Sequence, residues 1–199
     1  MTFETPHITY LDKVISTNLS LAVWVTDNYT EKKPIGGIKV KIKDAQIKAI
    51  KNPSGYYCFN DLNPGSYIVN IDSDYYFQEE VKVEVPSISD SNRKNPVVEI
   101  SMKPRPSYPF PKNSTLVRGL ISNGDTVAAE VKIVDEIPET LADDRGEFVL
   151  YIKEAVKDKK INIQITKNQI SKMVGTTTEG KSISIEEGKE IFVGVISFP

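Results

Sequence analysis

Apolar side chains recur at every second position along much of this chain, and that period narrows the choice of secondary structure. In residues 19–26, LSLAVWVT, Leu19, Leu21, Val23 and Val25 alternate with Ser20, Ala22, Trp24 and Thr26. Ile38, Val40 and Ile42 alternate with Lys39, Lys41 and Lys43, and Val81, Val83 and Val85 with Lys82 and Glu84. Successive side chains of a strand point to opposite faces, so this pattern describes strands with one buried and one wetted face. Such strands belong to antiparallel sheets rather than to doubly covered parallel ones. The best helical candidate, KEAVKDKK at 153–160, is short and mostly charged, and reads equally as a turn with one helical twist.

Turn chemistry separates the strands. Pro34-Ile35-Gly36-Gly37, Pro53-Ser54-Gly55 and Asn63-Pro64-Gly65 combine a preset φ with residues that accept positive φ. Short strands at this spacing predict a sandwich or barrel. Residues 104–111, PRPSYPFP, cannot form a central strand because proline donates nothing to a ladder. They read as a semi-rigid linker. The predicted division is an N-terminal arm at 1–17, a β-sandwich at 18–103, a Pro-rich linker at 104–112 and a second β-sandwich at 113–199. Tyr108 and Phe110 are placed to pack between the two. The second stretch echoes the first: Gly55-x-Tyr57-x-Phe59 has a counterpart in Gly146-x-Phe148-x-Leu150, as expected of two tandem copies of one unit.

Residues 52–77, NPSGYYCFNDLNPGSYIVNIDSDYYF, hold the most specific motif. If Asn63-Pro64-Gly65 closes a hairpin, Tyr57, Phe59, Leu62, Tyr67, Val69 and Ile71 share one face. Burying such side chains contributes about 1.5–3 kcal/mol each. Tyr56 and Cys58 then point the other way. Gly55-x-Tyr57-x-Phe59 followed by Asp61-Leu62-x-Pro64-Gly65-x-Tyr67-x-Val69-x-Ile71 resembles the carboxypeptidase regulatory-like domain. Upstream, Pro34-Ile35-x-Gly37-x-x-Val40 resembles the element that opens that family's second strand. The second stretch matches in part, through Val117-x-Gly119-x-Ile121, then Val127, Val131 and Ile133, then Asp143-Asp144-Arg145-Gly146-Glu147-Phe148. There Ala142 stands where the family usually has Thr, and the Leu-x-Pro-Gly-x-Tyr turn is missing. The resemblance implies an all-β fold of two tandem seven-stranded antiparallel β-sandwiches of the transthyretin-like (prealbumin-like) kind.

Catalytic chemistry finds little support. The chain has one histidine, His7, and one cysteine, Cys58. Together these cannot build the usual zinc site of several His or Cys ligands, and a lone cysteine forms no internal disulfide. His7 also lacks the His-x-x-Glu pairing of a metallocarboxypeptidase. Among enzymes that share the fold the resemblance implies, hydroxyisourate hydrolases need several histidines and a Tyr-Arg-Gly-Ser tail, whereas this chain closes on Ile196-Ser197-Phe198-Pro199. Intradiol dioxygenases hold iron with two Tyr and two His. A Cys58–His7 dyad is the one catalytic pair that can be named. The acidic runs at 72–74 and 135–147 do not match a calcium loop, and Asp143-Asp144-Arg145-Gly146 reads as a hairpin turn with glycine in the left-handed region. No cofactor or metal is expected.

A formal net charge of −2 provides no basic excess for nucleic acid. The N-terminal residues carry early acids and no apolar run of about 7–15 residues, so they do not read as a signal peptide. No stretch approaches the roughly 18 apolar residues of a membrane span. The expectation is a cytoplasmic protein, with an extracellular place open to it as part of an exported particle. Function is then expected from surfaces. The candidates are Trp24, which points off the apolar face of its strand to a contact rim or beneath residues 1–17, and Tyr75, Tyr76 and Phe77 at a strand end, with Tyr108 and Phe110 in the linker. The expected role is a non-catalytic structural or protein-interaction protein, possible hosts including a phage-tail-like particle. The alternative is a module for carbohydrate or a cell-surface polymer. The apolar C-terminal strand EIFVGVISF adds edge-strand homo-oligomerisation as an expectation.

Overall fold

The computed structural model describes residues 17–45, 47–87, 97–122, 128–134, 139–153, 159–175 and 182–198. Among them the chain is all-β and contains no helix. His7, Val127 and most of the 153–160 segment lie outside the described residues. The first seven strands are β1 (Leu19–Asp27), β2 (Ile38–Ile42), β3 (Ile50–Lys51), β4 (Tyr57–Asn60), β5 (Gly65–Ser73), β6 (Glu79–Val85) and β7 (Val97–Met102). They form two sheets, β3-β4-β1-β7 and β2-β5-β6. Both turn their apolar positions onto one cluster that includes Leu21, Val23, Val40, Phe59, Val69 and Ile71.

Nine strands follow among the described residues: β8 (Thr115–Ser122), β9 (Glu130–Ile133), β10 (Glu139–Leu141), β11 (Glu147–Ile152), β12 (Lys159–Ile161), β13 (Ile163–Lys167), β14 (Ile170–Val174), β15 (Ile183–Ile185) and β16 (Glu190–Ser197). They pair as β11-β8-β16, β10-β9-β13-β14 and β12-β15. A second cluster, with Val117, Val131, Phe148, Leu150, Ile163 and Ile165 at its centre, lies among them. The arrangement repeats. β1 is antiparallel to β4 and parallel to β7, as β8 is antiparallel to β11 and parallel to β16. β2-β5-β6 likewise corresponds to β9-β13-β14. The nine strands differ from the expected seven because β12 and β13 are separated at Asn162 and β15 is added on β12.

The repeat extends to single hydrogen bonds. The Asn52 N–H donates to the Tyr56 carbonyl at 2.9 Å, and the Gly55 N–H returns to the Asn52 carbonyl at 3.0 Å. The Asn52 side chain accepts the Tyr56 N–H at 2.9 Å. Asp143, Gly146 and Glu147 reproduce this turn at 2.9, 3.0 and 2.9 Å. Gly55 and Gly146 sit at φ of 100° and 80°, where a side chain would be strained.

The Asn63-Pro64-Gly65 turn corrects one expectation: it does not close a hairpin. β4 pairs with β1 and β3, whereas β5 pairs with β2 and β6, so the chain crosses here from one sheet to the facing one. Asp61 takes a positive φ of 53°, and the Leu62 N–H is held by Ser20 Oγ at 2.9 Å. The Tyr67 hydroxyl donates back to the Asn63 carbonyl at 2.8 Å and pins the crossover, as a tyrosine does at the corner of other sandwiches. Tyr57 and Phe59 are buried as the alternation predicts, while Tyr67 is half-buried.

The outward faces of the first two sheets differ. On β2-β5-β6 they carry Lys39, Lys41, Asp72, Glu80, Lys82 and Glu84, with Lys39 opposite Asp72. On β3-β4-β1-β7 the register aligns Ile50, Cys58, Ala22 and Val97 in one row across all four strands. The next row sets Trp24 against Glu99, and Thr26 faces Ser101 beyond it.

Candidate functional site: an aromatic joint anchored on Asp27

Asp27 continues the inward series Leu21, Val23, Val25 at the end of β1 and is fully buried. A carboxylate is tolerated there only if its oxygens are hydrogen-bonded. Oδ1 accepts the Tyr29 N–H at 2.8 Å and the Thr30 N–H at 3.4 Å. Oδ2 accepts the hydroxyls of Tyr76 at 3.0 Å and Tyr108 at 2.6 Å. The Tyr76 oxygen in turn accepts the Ile35 N–H at 3.1 Å. Burial pushes the Tyr76 phenol up to about 12; the Asp27 charge adds to the rise and the Ile35 N–H opposes it. Tyr108 is raised as well, by burial first and then by its bond to Asp27.

The rings build outward from this anchor. Tyr76 meets Tyr108 edge-on with centroids 5.5 Å apart, and Tyr108 lies 4.6 Å from Phe110. Tyr29 contacts Phe110 at 5.1 Å and Tyr151, on β11, at 5.2 Å. Such pairs contribute about 0.5–1.5 kcal/mol each beyond the area they bury. Leu116, Val149 and Tyr151 form a third buried cluster against Tyr29 and Phe110. The Tyr151 hydroxyl donates to Asn28 Oδ1. Its phenol is raised by burial and then by the charges of Asp27 and Glu139. The Tyr29 hydroxyl and Ser114 Oγ are 2.8 Å apart.

Polar contacts reinforce the joint. Arg118 on β8 donates to the Pro106 carbonyl at 2.8 Å, pairs with Glu190 at 3.1 Å and lies over the Phe110 ring. Lys153 pairs with Glu31 at 2.7 Å and Lys103 with Glu139 at 2.5 Å. The segment expected as a Pro-rich linker, 104–112, is held from Pro104 to Phe110. Tyr76 bridges to Pro104, and Arg105 bonds the carbonyls of Tyr75 and Tyr76, each at 2.9 Å.

This placement reassigns several of the candidate contact residues. Tyr76, Phe77 and Tyr108 are buried, so their rings do not face a partner. Phe77 has the Arg105 guanidinium 5.5 Å above its ring. Tyr75 is half-buried, with its ring against Gly36 where a Cβ would come within 2.7 Å. Phe110 is half-buried inside the joint. Trp24 is half-buried on the outward face of β1, tilted against Tyr56 at 4.8 Å. Asp27, Tyr29 and Tyr151 are the residues of the joint absent from the sequence expectation. Asp27 occupies an inward position of an alternating strand. Tyr151 lies within the unbroken apolar run Phe148–Ile152, the pattern of a strand covered on both faces.

A second surface lies at the far edge. β16 pairs with β8 among the described residues and exposes Phe192 (65%) and Val195 (61%). An open groove of about 480 Å³ runs between β14 and β16, lined by Met173, Val174, Ile191, Val193 and Ile196 among others. Among the described residues no group of three or more His, Cys, Asp or Glu converges on a metal position. Cys58 is half-buried in β4.

No family model matches the sequence, and none of the curated proteins compared with it does. Three solved structures are similar over most of the chain. The Bacillus anthracis TIE protein is 16% identical over 90% of this chain and 34% of its own, with a TM-score of 0.33. A streptococcal ancillary pilin is 13% identical over 91% of this chain and 61% of its own, at 0.30. The BSP domain of a biofilm associated protein is 12% identical over 87% of this chain and 29% of its own, at 0.25. The chain thus spans between 29% and 61% of the lengths of these three chains.

Proposed function

We propose that this chain is a non-catalytic interaction protein in which two transthyretin-like β-sandwiches of the carboxypeptidase regulatory-like kind, 18–103 and 113–199, are locked into a rigid spacer. A larger assembly such as a phage-tail-like particle is a fitting host. The repeated strand order and the repeated Asn52 and Asp143 turns support the tandem reading. The observation that carries the function is the joint: Tyr29, Phe110 and Tyr151 packed beside a buried Asp27. Contacts this aromatic and this well hydrogen-bonded oppose hinging, which small polar interfaces between domains permit. Small-angle scattering tests it. The full chain is expected to fit one conformation at low and high salt, and Tyr29→Ala with Phe110→Ala to broaden the distance distribution. A wild-type profile that needs a range of hinge angles overturns the spacer reading.

A second reading, a carbohydrate or cell-surface polymer module, is favoured by one feature: Trp24 and Tyr56 lie together on a sheet face that carries Glu99 as its charge. It predicts binding on an array of neutral glycans that Trp24→Ala abolishes. An array without signal removes it.

A further inference from the structure

β7 and β16 hold the same place in the repeat, and among the described residues each is the outermost strand of its sheet. The repeated turns set Tyr57 opposite Val23 and Phe148 opposite Gly119. One residue further along, Trp24 with its neighbour Glu99 therefore corresponds to Leu120 with its neighbour Val195. A charge on an exposed edge strand discourages pairing with another chain. β7 carries Glu99 at that position, whereas β16 carries Val195, with Phe192 more exposed still. A bulge at Val193 and Gly194 separates the two, with Gly194 at a φ of 88°. The bulge absorbs the extra residue. Phe192 and Val195, three apart, thus stand on one side of the strand beside Arg118 and Leu120.

We propose that β16 pairs antiparallel with β16 of a second copy of this chain, about a two-fold axis between Val193 and Gly194. A two-fold contact requires a surface that complements itself, and this strand does so in two ways. The axis sets Phe192 of each copy opposite Val195 of the other, apolar against apolar. It also sets Glu190 opposite Ser197. The Lys172 ammonium donates to the Ser197 carbonyl at 2.5 Å, so at each end of the ladder it meets Glu190 of the other copy. That carboxylate is paired with Arg118 at 3.1 Å, yet its side chain is 55% exposed and open to a second cation. The pairing merges two β11-β8-β16 sheets into one of six strands. It also turns the two grooves between β14 and β16 toward each other. The inference concerns a contact between copies and holds whether or not the joint within one copy is rigid.

Sedimentation equilibrium of the full chain, from low to high micromolar concentration, tests it. The wild type is expected to reach a dimer and stop there, because the two-fold contact uses the edge on both copies. Lys172→Glu and Glu190→Lys, each alone, set like charges against each other at both ends of the ladder. Each is expected to weaken association about tenfold, the sum of two exposed ion pairs lost and reversed. The double variant exchanges the signs and is expected to recover the dimer, which a misfolded chain would not do. Lys172→Glu also leaves the Glu190–Arg118 pair intact, so its effect does not pass through the joint. A chain that stays monomeric over the whole range overturns the proposal. So do single and double charge variants that associate equally, and so does growth into species larger than a dimer.

Discussion

The Tyr108 hydroxyl donates a 2.6 Å hydrogen bond to the buried Asp27 carboxylate, joining positions 81 residues apart. Tyr76 shares the same oxygen, so one side chain at the end of β1 satisfies two phenols as well as two backbone N–H groups. Asp27→Ala would strand these donors in the interior, at a cost of about 1–3 kcal/mol for each one left unpaired. We expect a loss of at least about 3 kcal/mol in urea unfolding, and a smaller loss for Asp27→Asn, which keeps one acceptor oxygen.

The same phenols set an alkaline limit. An unfolded tyrosine titrates near 10, and Tyr76 in the fold near 12. The folded state therefore favours the protonated form. The stability this provides is complete below about pH 10 and is lost as pH rises toward about 12. Tyrosinate absorbance at 295 nm is expected to show Tyr76, Tyr108 and Tyr151 ionising late, together with unfolding. Tyr76→Phe removes one late component.

Gly119 lies under the Phe148 ring, and a Cβ there would come within 2.5 Å of it. Gly119→Ala is expected to displace that ring and cost about 1–3 kcal/mol, measured as a fall in thermal midpoint. Pairing it with Phe148→Leu should recover part of the loss.

Tyr29 and Tyr151 meet across the joint at 5.2 Å. Alanine substitutions of each, singly and together, are expected to show a coupling of about 0.5–1.5 kcal/mol. Additive effects would mean that the rings stabilise their own surroundings rather than each other.

Phe192 and Val195 give β16 an apolar, exposed edge. If copies associate there, light scattering at high concentration is expected to show oligomers that Phe192→Lys disperses. A strict monomer across that range removes this edge as an interface.

The alternation in Leu21, Val23 and Val25, or in Val40 and Ile42, predicts the inward faces that the sheets display, because a period of two has one reading in a half-wetted strand. It does not say which sheet a strand joins. Tyr57 and Phe59 on β4 and Val69 and Ile71 on β5 reach the same cluster whether the strands pair or face each other, so the crossover at Asn63-Pro64-Gly65 is invisible to the pattern. Tyr76 and Phe77 are buried because Pro104 and Arg105 return over them, a contact that local sequence does not encode. Asp27 was legible in principle: a charged residue in the inward register implies partners, although not that they would be Tyr76 and Tyr108.

The parallel pairing of β1 with β7, repeated by β8 and β16, has a mechanical consequence. The chain enters each pair at one end and leaves it at the other, at Leu19 and Met102, then at Thr115 and Ser197. Tension along the polypeptide therefore loads these ladders in shear. Their hydrogen bonds, which run across the pull, must yield together instead of unzipping one at a time. A chain threaded in this way is suited to transmitting force from one end to the other while both clusters stay intact.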